Sequence, residues 1–147
     1  MMIKAIIVSG SVGTGKTTFA KKLAQTLDAL YVNITDLVKK HHLGEGFDRK
    51  TESEIVDVKK LNTFLIKLIK SSKKQLIIDG HLSHYLLKKY VEKCYIIKCD
   101  LKKLKKRLEK RNYSKEKIRE NLDAEIFDVC LTEAQEQGYD IEIIEKV

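Results

Sequence analysis

Eight consecutive residues, Gly10-Ser11-Val12-Gly13-Thr14-Gly15-Lys16-Thr17, carry the most specific chemistry in this sequence. Glycines at this spacing give the backbone angles and a closeness of approach that a side chain would block. Successive N–H groups can then turn inward around phosphate oxygens, helped by the N-terminus of a following helix. Lys16 would set its charge on the β- and γ-phosphates of ATP, and the Thr17 hydroxyl would coordinate Mg²⁺. Gly10, Gly13, Thr14 and Gly15 shape the cradle, and Thr18 adds a contact to the α-phosphate.

A second group of residues fits the same chemistry. Asp79 ends the apolar run Leu76-Ile77-Ile78, where an acid in a phosphate-loop enzyme holds Mg²⁺, often through water. An Asp in that place also serves as a plain helix or turn cap. His81 follows two residues later and His84 three beyond it. The pair reads either as two partly exposed loop histidines or, for His81, as a group that orients water or the γ-phosphate. No third ligand for zinc is evident beside them. Arg107 and Arg111 stand four apart, hence on one helical face, and guanidinium forks match phosphate oxygens. Asn112-Tyr113-Ser114 after them reads as a short lid. Lys102, Lys103, Lys105, Lys106 and Lys110 read as a solvated face.

These residues need elements to position them. Ile3 to Ser9 is apolar without alternation, as in a strand buried on both faces. Thr17 to Leu27 has helical spacing, so strand, glycine-rich loop and helix follow in the order the motif requires. Leu30 to Ile34 reads as a short strand, with Thr35 or Asp36 as the cap of a helix. Residues 41 to 57 are polar, with Gly44 and Gly46, and read as an aperiodic mobile insertion. Val58 to Ser71 is a helix with Leu61, Leu65, Leu68 and Ile69 as its apolar stripe. Gln75 to Ile78 and Cys94 to Cys99 read as strands. Leu101 to Arg111 is a helix with Leu101, Leu104 and Leu108 inward. Lys115 to Gln137 reads as one long helix stopped by Gly138, and Tyr139 to Ile144 as a last strand. The alternation predicts an α/β fold, a parallel sheet of about five strands with helices on both faces. Ligands of such sheets sit at the carboxyl ends of the strands, where the loop, Asp36, Asp79 and Asp100 all fall.

The chain of 147 residues suits one domain, and 43% hydrophobic with 34% charged residues suits a globular one. Twenty-nine basic against 21 acidic residues give +8, which fits either a polyanionic partner or a lysine-rich surface kept for solubility. Cys94, Cys99 and Cys130 lack metal-ligand spacing. Their odd number and the absence of a signal peptide lead us to expect a reducing, cytoplasmic setting, and no run is long enough to span a membrane.

The sequence also resembles a known family. The loop ending in Lys16-Thr17-Thr18, the segment Val32 to Leu37, Asp79-Gly80-His81, the stretch Arg107 to Ser114 and the segment Glu120 to Val129 with Glu133-Ala134 form one set. Together they are similar to the adenylate-kinase-like family of the coilin-interacting nuclear ATPase and its archaeal relatives, over nearly the whole chain. Asn121 to Ala134 is the most family-specific part. The resemblance implies a P-loop nucleoside monophosphate kinase fold, with a monophosphate-binding arm at about 33–56 and a short lid at about 108–118. It implies adenylate kinase activity, an intrinsic ATPase and a role in maturing the small ribosomal subunit, with a small-subunit ribosomal protein as partner; ribosomal RNA is a further expected partner on the ground of the +8 charge. Gly13, Gly15, Lys16, Thr17 and Thr18 would bind ATP, with Arg111 as its lid arginine. Asp79 and His81 would match the family's acid and histidine. Asn33, Asp36 and Lys39 would serve AMP, Lys39 standing where many relatives have Arg.

Two functions are therefore expected. The first is transfer of the γ-phosphoryl of Mg·ATP to AMP, with Lys16, Asp79, His81, Arg107 and Arg111 in catalytic roles and Thr17 and Asp79 on Mg²⁺, by a monomer or weak dimer. The second is ATP-driven ribosome assembly, in which hydrolysis releases a bound protein or RNA.

Overall fold

The computed structural model describes residues 2–49 and 53–145. Strand β1 (Ala5–Ser9) is buried along its whole length, as its unbroken apolar composition requires. It leads through the glycine-rich loop into helix α1 (Lys16–Leu27). Strand β2 (Leu30–Asn33) and helix α2 (Ile34–His41) follow, then strands β3 (Gly44–Asp48) and β4 (Ser53–Val56) and helix α3 (Val58–Ser71). The chain returns to the sheet as β5 (Leu76–Asp79), makes two short 3-10 turns (Ser83–Tyr85 and Lys88–Tyr90), and enters β6 (Val91–Ile97). Helices α4 (Leu101–Lys110), α5 (Lys115–Ile126) and α6 (Val129–Gln137) precede the edge strand β7 (Ile141–Ile144).

Five strands form one parallel sheet in the order β2-β5-β1-β6-β7. Because side chains alternate along a strand, β1 feeds two cores. Ile6 and Val8 pack with Ala20 and Ala24 of α1 on one face. Ala5 and Ile7 pack with Leu61, Leu65 and Ile69 of α3 and Ala134 of α6 on the other. The expected α/β sheet with helices on both faces is the observed one. Its strand order reverses at β1, which lies between β5 and β6, so the loop after β1 opens at the switch point where α/β sheets hold ligands.

Several local expectations are corrected. The helix after β2 is capped by Asn33, whose Oδ1 accepts from the Asp36 N–H at 3.0 Å, and not by Thr35 or Asp36. The expected aperiodic insertion at 41–57 contains the antiparallel hairpin β3–β4. Its strands escaped notice because they are four or five residues long, carry a register shift between Gly44 and Gly46, and leave Phe47 and Ile55 exposed. The expected strand from Cys94 starts at Val91 and ends at Ile97, leaving Cys99 outside it. Leu101 is 41% exposed, since it begins the helix beside the Asp100 cap, while Leu104 and Leu108 are buried.

The single helix expected over 115–137 is two helices, broken at Phe127-Asp128. Asp128 takes a left-handed conformation, φ 50°, which an Asp tolerates better than most residues, and its carboxylate pairs with Lys98 Nζ. Helical spacing runs through the break, so periodicity alone could not show it. Gly138 ends α6 with φ 78°, as expected of a glycine after a helix.

Candidate functional site

The loop between β1 and α1 is held open by close backbone packing. Gly10 sits at φ 144°, and a Cβ there would lie 2.5 Å from the Ile97 carbonyl oxygen. No side chain fits, so β6 can press against the loop from behind. The Thr14 hydroxyl donates to the Ser11 carbonyl at 2.8 Å, and Lys16 Nζ donates to the same oxygen at 2.9 Å. Burial pulls the Lys16 pKa below the usual lysine range, opposed by the negative charge of Asp79.

Asp79 ends β5 almost fully buried, and its Oδ2 gathers three donors. Thr17 Oγ1 donates at 2.9 Å, the Tyr31 hydroxyl at 2.5 Å and Asn33 Nδ2 at 3.4 Å. The parallel register pairs Asn33 with Asp79 and sets Tyr31 two residues earlier on the same face of β2. Asn33 Nδ2 also donates to the Tyr31 hydroxyl at 3.0 Å, which closes the network. Burial, and then the hydrogen bond to Asp79, raise the Tyr31 pKa. A threonine hydroxyl beside a carboxylate is a hard oxygen donor set, which suits Mg²⁺ with its remaining positions on phosphate and water. Among the described residues no cluster of three or more His, Cys, Asp or Glu is placed to hold a metal unaided.

Gly80 allows α2 to approach this strand end, since a Cβ there would meet the Ile34 Cβ at 2.8 Å. His81 follows on the cleft wall, open to water on one side. Crowding by the surrounding walls, and then the charge of Lys16, hold its pKa down to about 4, so it is neutral near pH 7. His84 also borders the cleft, but it is buried where His81 is exposed. It is 2% exposed, its Nδ1 lies 2.7 Å from Ser9 Oγ, and its Nε2 lies 3.6 Å from Glu133 Oε2. The 3-10 turn after Leu82 folds it into the core, against the expectation of two partly exposed loop histidines.

Arg107 and Arg111 project from one side of α4 toward the loop. Arg107 Nη1 donates to the Gly13 carbonyl at 3.1 Å, and Arg111 Nη1 approaches the Tyr113 hydroxyl at 3.4 Å. Lys117 Nζ stands 3.9 Å from the Tyr113 ring centroid, within cation–π reach.

These groups share one cleft of about 1300 Å³. Gly13, Gly15, Lys16, Thr17 and Thr18 line it with Arg107 and Arg111, and Asn33, Lys39, Asp79 and His81 line it with Phe47 of the hairpin. Gly10, Thr14 and Asp36 are not on its wall, and Asp36 is exposed with its N–H turned to Asn33. The cations Lys16, Lys39, Arg107, Arg111 and Lys117 outnumber the wall's acids Asp79, Glu120 and Glu133, which favours a polyanionic guest. Sequence reasoning did not single out Tyr31, Lys117 or Glu125. Tyr31 had one usable signal, its i, i+2 spacing from Asn33 on a strand. Glu125 accepts from Ser11 Oγ at 3.3 Å and from the Cys99 N–H at 2.8 Å, contacts no local pattern announces.

Residues 6–128 match the protein family described as "AAA domain". An "Adenylate kinase isoenzyme 6 homolog" of Schizosaccharomyces pombe is 41% identical over 140 residues, covering 95% of this chain and 78% of that protein. A protein of the same description from Dictyostelium discoideum is 33% identical, again over 95% of this chain and 78% of its own length. Among solved structures, shikimate kinase from Acinetobacter baumannii in complex with shikimate superposes with a TM-score of 0.66. At 17% identity, over 99% of this chain and 84% of that one, this is a likeness of fold.

Proposed function

The chain belongs to the adenylate-kinase-like family of P-loop proteins, and from that premise we propose that it is a nucleoside monophosphate kinase, transferring the γ-phosphoryl of Mg·ATP to AMP to give two ADP. The observation that carries this reading is a single cleft that gathers two sets of residues: the phosphate loop with Lys16, Arg107 and Arg111, and Asn33, Lys39, His81 and Phe47, with Asp79 on the same wall.

The residues divide the work. Loop N–H groups and Lys16 bind the donor's polyphosphate and fix its orientation. Arg107 and Arg111 neutralise charge that spreads over the transferring group's oxygens, and their planar forks limit its rotation. Lys39 draws the acceptor phosphate, and Asn33 sets the edge against which it lies. The acceptor is already ionised, so no strong general base is needed, and the neutral His81 can hold a hydrogen bond without adding charge. Thr17 and Asp79 would hold Mg²⁺, which when bound supplies neutralisation of the phosphate oxygens. The segment at 108–118, bearing Arg111 and Tyr113, would close over the donor and exclude water.

ADP formation from Mg·ATP, with and without AMP and beside Lys16→Ala, tests the reading. AMP should raise the rate strongly with two ADP formed per ATP used, and Lys16→Ala should collapse it by about a thousandfold or more at unchanged fold. A slow rate indifferent to AMP would sink the kinase assignment.

A second reading, an ATP-hydrolysing ribosome assembly factor, is favoured by one observation. Lys102, Lys103, Lys105, Lys106 and Lys110 of α4 are exposed, and among the described residues none is ion-paired. If this face binds ribosomal RNA, affinity must fall steeply with salt. Salt-independent binding would remove that reading.

A further inference from the structure

Among the described residues, Glu125 is the most deeply placed acid outside the chemistry described so far. It lies on α5, 7% exposed, 114 positions from the loop residue it touches. Both its carboxylate oxygens are engaged. Oε1 accepts from Ser11 Oγ at 3.3 Å, and Oε2 accepts from the Cys99 N–H, just past β6, at 2.8 Å. Lys98 Nζ stands 4.0 Å from Oε1 and pairs with Asp128 at the break between α5 and α6.

Ser11 is not a passive partner. Its carbonyl accepts Lys16 Nζ and the Thr14 hydroxyl, so a shift of this residue moves the cation meant for the phosphates. The helix that carries Glu125 holds Lys117 beside Tyr113 in its first turn and places Glu120, Asn121 and Ala124 on the cleft wall. One end of α5 thus adjoins the lid, and the other is pinned to the phosphate loop and to the end of β6.

We infer that Glu125 is a positioning residue: by holding Ser11 and the Cys99 N–H together, it sets the shape of the phosphate loop and gives the lid-bearing helix a fixed end. The inference rests on the reading of this cleft as an ATP site, but not on AMP being the acceptor. A buried carboxylate that merely filled space would be better replaced by an apolar group, because removing its charge from water is expensive unless every partner is kept. Here two donors and a nearby ammonium offset that expense, and all three belong to segments that meet at the loop.

Calorimetric titration of Mg·ATP into the full chain, with turnover measured in parallel, tests the inference. Glu125→Ala should weaken Mg·ATP binding about tenfold and lower kcat/KM about a hundredfold, the effect of misplacing a charged group by roughly an ångström. Glu125→Gln keeps one acceptor oxygen and adds a donor that the Ser11 hydroxyl can accept, so it should recover part of both losses. Ser11→Ala removes the other half of the contact, and its loss in binding should not add to that of Glu125→Ala. Should Glu125→Ala fail to fold, the Gln and Ser11 variants and their combination still report the coupling.

A lower melting temperature with unchanged Mg·ATP affinity would make Glu125 a stability residue only and overturn the inference. So would additive losses in the double variant. Binding is read without AMP, so an unaltered chain that binds Mg·ATP but ignores AMP would refute the kinase reading and leave this one standing. An unaltered chain that binds no Mg·ATP would overturn both.

Discussion

Replacing Tyr31 by Phe removes one hydroxyl and nothing else, at a place where the structure gives that hydroxyl a defined task. It donates to Asp79 Oδ2 at 2.5 Å and accepts from Asn33 Nδ2 at 3.0 Å. A hydrogen bond to an ionised group contributes about 1.5–3 kcal/mol. Asp79 keeps Thr17 and Asn33 as donors, and the contact is only partly buried, so about 1–2 kcal/mol is the expected loss. For a chain of this length that lowers the melting temperature by roughly 3–6 °C. The functional effect should be larger, because Asp79 would lose the group that fixes its orientation toward Mg²⁺. Outer partners of metal-holding carboxylates typically contribute about tenfold or more in metal affinity, so half-saturating Mg²⁺ for turnover should rise by about that factor. There is also a signature at high pH. The folded-state pKa of Tyr31 is raised, so its contribution is whole below the unfolded value near 10 and fades as pH climbs through the folded one. Tyr31→Phe should flatten that alkaline limb. Thermal melts over pH 8–11 and turnover over a Mg²⁺ series are the assays. A variant with unchanged melting temperature and unchanged Mg²⁺ dependence would refute the claim that Tyr31 orients Asp79.

Two further outcomes follow from the geometry. His81 titrates near 4 in the folded chain and near 6.5 when unfolded, so the unfolded chain holds more protons between those values and stability must fall as pH drops through that window. His81→Gln should lose part of that slope in melts from pH 4 to 7, and an identical slope would show that His81 is not held neutral. Gly80→Ala places a methyl 2.8 Å from the Ile34 Cβ, which forces α2 away from the strand end and should destabilise by about 1–3 kcal/mol. The same shift displaces Asn33, so turnover should fall with stability, and a fully stable Gly80→Ala protein would mean that α2 has slack.

The sequence showed most clearly what depends on neighbours along the chain. The apolar run ending at Ser9, the glycine spacing and the helix after Lys16 declare a phosphate loop because each part lies within a few residues of the next. The parallel sheet was legible for the same reason, since a strand with no alternation must be covered on both faces. Short elements were not. The hairpin of β3 and β4 leaves Phe47 and Ile55 exposed, so it presents no buried alternation to read. At the break, Asp128 pairs with Lys98, which lies 30 positions away, and helical periodicity passes over it without a mark.

The same division runs through the site, and it decides which residues the motif can name. A motif names groups suited to touch a ligand, because ligand contact fixes residue type at fixed spacing: Lys16, Thr17, Gly13 and Gly15, which line the cleft, are of this kind. It is silent on groups that act through another residue, since many types and places could do that work. Tyr31 reaches Asp79 across 48 positions, and Glu125 reaches Ser11 across 114. Each alone is an ordinary strand tyrosine or an ordinary helix glutamate. Only the strand order β2-β5-β1-β6, which lays the ends of β2 and β6 on opposite sides of the loop, turns them into supports for it. Tyr31 steadies the acid from the β2 side, and Glu125 steadies the loop from the β6 side. Loss of Tyr31 should therefore appear first as a Mg²⁺ requirement, and loss of Glu125 first as weaker nucleotide binding. Because the two supports share no partner, their effects on kcat/KM should multiply in a Tyr31→Phe, Glu125→Gln double variant. A double variant no worse than the weaker single one would mean that both act through one shared element, and the two-sided account of this loop would have to be abandoned.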